Sequence, residues 1–167
     1  MKLNLKSYIL ILFTSTIYSQ DKINVLSNSK DTYIETYKYY SYNEQYSLTD
    51  AIRIGPSGMK ILKSSISTAI KWVELNNNYN KQFTKEISRF KAIDKKTYDF
   101  YKKYIDQFAD EYIITFYGYE NGDFKVEIKK HNYDGFIIID NIEMLKDFKN
   151  IINGKSANNE IDDIFKK

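Results

Sequence analysis

The chain has 167 residues, with 25 basic and 22 acidic side chains, a single histidine and no cysteine. Without cysteine there is no disulfide, thiol nucleophile or thiolate zinc site, and one histidine excludes a metal centre built on several imidazoles. A formal charge of +3 supplies no general drive toward nucleic acid.

Residues 1–7 carry Lys2 and Lys6 and no acid, and residues 8–13 are a run of apolar side chains, with no charge until after Ile17. A positive start, an apolar stretch of about 10 residues and a small residue at Ser19 form the pattern of a secretory signal peptide. The stretch is too short for a membrane span, which needs about 20 apolar residues. Cleavage after Ser19 is expected. It would leave 148 residues with a net charge of +1, exported to the periplasm or the medium without a stable membrane anchor. That length suits one domain, expected over 31–167 after a flexible polar lead-in at 20–30. With no disulfide to help, its stability has to come from burial, and 16 Tyr and 10 Phe are the obvious source.

Residues 32–42 are β-branched and aromatic and read as a strand with Tyr33, Glu35, Tyr37 and Tyr39 on one face. A second strand over 49–54 stops at Gly55-Pro56. Ser57 is placed to cap a helix over 58–76, whose Met59, Leu62, Ile66, Ala69 and Val73 recur at three- and four-residue steps. Residues 79–90 fit either helix or strand. Asp94 is placed to cap a helix over 95–109, with Tyr98, Tyr101, Tyr104, Ile105 and Phe108 on one face. Residues 112–119 and 124–129 read as a hairpin turning at Asn121-Gly122, a favoured pair for a primed turn. The first arm is apolar on both faces, which predicts a central strand. The second alternates, with Phe124, Val126 and Ile128 inward and Lys125, Glu127 and Lys129 outward. A strand at 135–140, a helix at 142–152 capped by Asn141 and ended by Gly154, and a short helix at 159–165 complete the reading. The order does not alternate strand with helix, so the expected fold is α+β. It has an antiparallel sheet of four to five strands, with three to four helices packed mainly on one face.

Little in this inventory carries chemistry. His131 follows the hairpin in a polar loop. Ser57-Gly58-Met59-Lys60 has the Ser-x-x-Lys form used by penicillin-binding proteins and serine β-lactamases, but their companion motifs are missing, and a helix cap with a solvated lysine accounts for it. Asp134, Asp140 and Glu143, and Asp110 with Glu111, are the carboxylate groupings an acid–base pair would draw on. Glu160, Asp162 and Asp163 lack the spacing of a calcium loop. The turn at 55–58, with Arg53 nearby, has the form of an anion-binding helix start. No metal or cofactor is expected. The tyrosines Tyr33, Tyr37, Tyr39, Tyr40, Tyr42 and Tyr46 are the feature best suited to binding, since exposed rings stack on sugars or anchor a protein partner. An AT-rich coding bias would also enrich Tyr. The expected function is an exported module that binds a protein or glycan through Tyr33, Tyr37, Tyr39 and Arg53. The alternative is a small carboxylate-dependent hydrolase acting on a glycan or peptide.

Overall fold

A computed structural model describes residues 22–27, 30–79, 81–131 and 135–154. The leader, the terminal helix expected at 159–165, Asp134 and the acids from Glu160 onward lie outside the described residues. The fold is α+β. Seven strands form one antiparallel sheet in sequential order: β1 (Lys22–Ser27), β2 (Thr32–Tyr40), β3 (Gln45–Ile54), β4 (Phe83–Asp94), β5 (Asp110–Gly118), β6 (Phe124–Lys130) and β7 (Gly135–Ile139). Three α-helices accompany them: α1 (Pro56–Tyr79), α2 (Lys95–Tyr101) and α3 (Ile142–Ile152). The count of four to five strands was low for two reasons. The polar segment read as a loose lead-in pairs along β2 as β1, and the ambiguous stretch is β4, held along nearly its full length by β5.

Residues opposite one another in the ladders share a face. One face therefore collects Val25, Ile34, Ile52, Ala92, Phe90, Ile114, Phe116, Ile128 and Val126. The stripe of α1 and the buried Leu145, Phe148 and Ile152 of α3 pack onto that face in one core. β5 lies between β4 and β6 and is buried on both faces, as its apolar run requires. α3 touches β1 at one edge of the sheet and β7 at the other. Flat, seven strands would hold those edges about 29 Å apart, whereas the 11 residues of α3 extend only about 16 Å. The sheet must therefore curl around its helix face into an open half-barrel, with α3 bridging the gap.

β3 and β4 meet at three residue pairs only, Ile52–Asp94, Arg53–Ile93 and Ile54–Ala92. The sheet is thus two ladders joined at a narrow seam that α1 spans. Beyond the seam, β2 and the first half of β3 continue as a two-stranded arm.

The helix signals hold with corrections. Gly55, not Ser57, precedes the first turn: its carbonyl accepts from Met59 N–H at 3.0 Å, Pro56 occupies the first helical position, and Ser57 lies exposed inside that turn. Asp94 caps α2 through Thr97 N–H at 2.8 Å, but the helix stops at Tyr101, where Lys102 turns left-handed at φ 57°. A single 3₁₀ turn follows at Asp106–Phe108. α2 packs opposite the other two helices, with Ala51, Ile93 and Ile113 buried on that side. Asn141 caps α3 as read. In the β5–β6 turn only Gly122 takes a positive φ, at 86°. The loop is therefore not the primed two-residue turn expected of Asn-Gly, in which Asn121 would be left-handed as well.

The helix expected to end at residue 76 runs on to Tyr79, and Asn76 lies buried inside it. Its amide donates to the Gly122 and Asp123 carbonyls, both at 2.8 Å, fastening α1 to the β5–β6 turn. Asn76→Ala is expected to lower stability by about 2 kcal/mol, through two lost hydrogen bonds and a small void. The check is a fall of about 5 °C in the thermal midpoint.

Candidate functional site

The four residues singled out for binding do not form one site. Arg53 is enclosed by structure: it bonds Asp31 at 2.9 Å, and its guanidinium lies 3.5 Å from the Tyr98 ring centroid and 4.7 Å from that of Tyr33. Arg53 and Tyr33 thus hold α2 against β2 and β3 through a stacked cation. The structure does not bring Arg53 to the helix start at 55–58. There Tyr104 covers Gly55 so closely that a Cβ on the glycine would meet its ring at 2.8 Å. Tyr37 donates its hydroxyl to Glu35 at 2.8 Å. Tyr37, opposite Leu48, and Tyr39 both belong to the arm beyond the seam, where Tyr39 pairs with Tyr46 at a ring separation of 5.2 Å.

That arm exposes aromatic side chains to solvent. Tyr40 packs on Tyr42 at 5.7 Å, and Tyr42, Tyr46 and Leu48 are 82, 49 and 39% exposed. The chain reverses over residues 41–44, with Glu44 left-handed at φ 52°. Because β3 meets β4 only from Ile52 onward, the outer edge of residues 45–50 has no strand partner among the described residues.

A second feature, not read from the sequence, lies at the mouth of the curled sheet where β4 gives way to α2. An open cleft of about 650 Å³ is lined by Asp50, Asp94, Tyr112, Lys130 and Phe136, with Lys95, Lys96 and Asp99 of α2 along its rim. The registers explain the gathering. Asp50, Asp94, Tyr112 and Lys130 all point to the helix face, one step beyond its apolar rows. Phe136 is the extra residue at an irregularity between β6 and β7, and its ring meets Tyr112 edge-on at 6.3 Å.

Lys130 bonds Asp110 at 2.6 Å and Asp94 at 3.2 Å. Partial burial works against its charge, but the two carboxylates raise its pKa above the ordinary value. Crowding alone would raise Asp94. The Thr97 N–H and the Lys130 ammonium outweigh it and hold Asp94 below the usual carboxylate range. Asp50 moves the other way. The cleft wall desolvates its carboxyl and Asp94 repels its charge, which lifts it despite the Ala51 N–H bond at 2.7 Å.

The remaining sequence candidates are dispersed. His131 is exposed at the end of β6, as are Ser57 and Lys60 on α1. Glu143 pairs with Lys146 at 2.9 Å, and Glu111 with Arg89 at 2.7 Å. Among the described residues, no group of three or more His, Cys, Asp or Glu side chains is placed to hold a metal ion, and no helix is long and apolar enough to cross a membrane. No protein-family model matches the chain, and comparison with curated proteins and with solved structures found no match.

Proposed function

We propose that the protein is an exported binding module that engages a protein partner through the β2–β3 arm. The leader pattern at residues 1–19 supports export. The observation that carries the binding reading is the arm itself: exposed Tyr42, Tyr46 and Leu48 stand beside a strand edge over 45–50 that lies outside the β4 ladder. Rings and an open edge in one place suit an extended peptide segment, which adds a strand by backbone hydrogen bonds and seats its side chains against the tyrosines. A glycan would use the rings and leave the edge unused. The test is capture of partners by the purified protein from envelope and medium fractions, compared with a Tyr42→Ser/Tyr46→Ser variant. Each ring lost from an interface centre costs about 2 kcal/mol, or roughly thirtyfold in affinity. A proteinaceous partner retained by the parent and lost by the variant is the expected result. Equal retention by both, or retention of soluble glycan only, defeats the reading.

One observation favours the hydrolase alternative: Asp50 is lifted and Asp94 lowered within one cleft, the divergence an acid–base pair uses. Its test is turnover of chromogenic glycosides and peptides that disappears in Asp50→Asn.

A further inference from the structure

α2 turns one side to the sheet and the other to solvent. Tyr98 lies against the Arg53 guanidinium, 3.5 Å from its ring centroid. Two residues away in each direction, Lys96 and Phe100 therefore share the opposite side of the helix. Both are exposed, Phe100 to 79%. Past the left-handed Lys102 the chain folds back so that Phe108 stacks on Tyr101 at 4.5 Å, and Phe100 meets the same tyrosine edge-on at 4.8 Å. Tyr101 and Phe108 are themselves 37 and 40% exposed. Three rings thus make one projecting knob on the side of the sheet away from α1 and α3. The charge beside it is lopsided. Residues 95–108 hold four lysines and two acids. Asp99 pairs with Lys95, and Asp106 with Lys91 of β4 at 3.6 Å. Lys96, Lys102 and Lys103 are exposed and form no ion pair, so three unmatched cations flank the rings. At these exposures the rings offer about 300 Å², well short of the roughly 800 Å² that each side of a specific protein interface buries. A lipid surface sets no such minimum, because it moulds around a projecting group. Rings settle at headgroup depth, and lysines reach anionic headgroups beside them.

We propose that this knob adsorbs the protein reversibly on an anionic lipid bilayer, with Phe100, Tyr101 and Phe108 at headgroup depth and Lys96, Lys102 and Lys103 against the phosphates. The seven residues of α2 are far too few to span a bilayer, which takes about 20, so the contact is peripheral. The rings belong to α2 and the turn after it, so the inference does not rest on the β2–β3 arm.

The test uses the absence of cysteine from the chain. Gln107→Cys, at an exposed position between Asp106 and Phe108, takes an environment-sensitive fluorophore into the knob without removing a ring or a lysine. Ser57→Cys, exposed on α1, is the control. Both labelled proteins are titrated with vesicles of equal parts phosphatidylcholine and phosphatidylglycerol, and with vesicles of phosphatidylcholine alone. A saturable blue shift of the label at 107 is expected on the anionic vesicles, with binding to neutral vesicles at least about tenfold weaker and no shift at 57. Adsorption through the apolar leader at 8–13 would instead leave the label at 107 in water. In the Gln107→Cys background, Phe100→Ser should weaken binding about fivefold. Lys96→Gln/Lys102→Gln/Lys103→Gln should weaken it about a hundredfold, at roughly a factor of five for each lysine. The proposal is overturned if the label at 107 stays in water, if neutral vesicles bind as well as anionic ones, or if either set of substitutions leaves binding unchanged. Tighter binding of soluble dextran sulfate than of the vesicles, indifferent to Phe100→Ser, would also overturn it, since the patch would then serve a polyanion and not a bilayer.

Discussion

Replacing Phe116 by Ala is expected to remove about 4 kcal/mol of stability, the upper part of the range for a large ring deleted from a packed core. Phe116 is fully buried toward the end of β5. It stacks between Phe83 at 5.6 Å and Phe124 at 6.0 Å, and receives the edge of Trp72 at 5.8 Å. Those neighbours come from β4, β6 and α1, so the ring joins both central ladders to the long helix. None of the three can fill the space without leaving its own contacts. The thermal midpoint should fall by about 12 °C. Trp72 is the only tryptophan, so its emission reports the same site and should shift to the red in the folded variant. Ile138→Ala, on the exposed outer face of β7, should change stability by less than about 0.5 kcal/mol. Equal effects of the two substitutions would refute this account of the core.

The second large effect is expected at Arg53. Arg53→Met keeps much of the side-chain volume but removes the bond to Asp31, itself only 8% exposed, and the stack between Tyr33 and Tyr98. Breaking a buried pair from one side costs about 3 kcal/mol, chiefly because the carboxylate remains desolvated. Arg53→Lys should recover less than half of that, since an ammonium cannot lie flat between two rings while reaching an acid. Denaturant midpoints of the three proteins test the ranking. A lysine variant as stable as the parent would show that charge alone matters. Because Arg53 is walled in, neither variant should alter partner capture by the arm.

Where one face of an element was apolar at a regular period, the sequence was legible. The stripe of α1, the central position of β5 and the alternation of β6 all follow from spacing, and Asp94 and Asn141 cap where their side chains can reach free N–H groups. β1 was missed because an edge strand buries little and need not be apolar. β4 was ambiguous because much of its first half is exposed, so its periodicity is weak there. α2 was read too long because Tyr104, Ile105 and Phe108 continue a helical stripe, while the backbone turns away at Lys102. The tyrosine arm was visible as composition but not as geometry: nothing local says that β3 outruns β4. The cleft was closer to legible than it looked. Extending the inward set of β6 by one step reaches Lys130, and starting that of β5 one step earlier reaches Tyr112. Polar residues at the ends of inward rows were the signal: the second arm was read only as far as Lys129, and Tyr112 was counted as one more apolar residue of the first.

The narrow junction between the two halves of the sheet also bears on how the chain assembles. Tyr40 and Gln45 pair across five positions and Gly118 and Phe124 across six, but Ile54 and Ala92 are separated by 38. Closing the longer loop costs about 1.6 kcal/mol more in chain entropy than closing a hairpin, and only three rungs reward it. A preformed 24-residue helix shortens that search by holding the two ends in reach. Union of the halves is therefore gated by the helix between them, and helix-weakening substitutions on the solvent side of α1 act on assembly speed as well as on final stability.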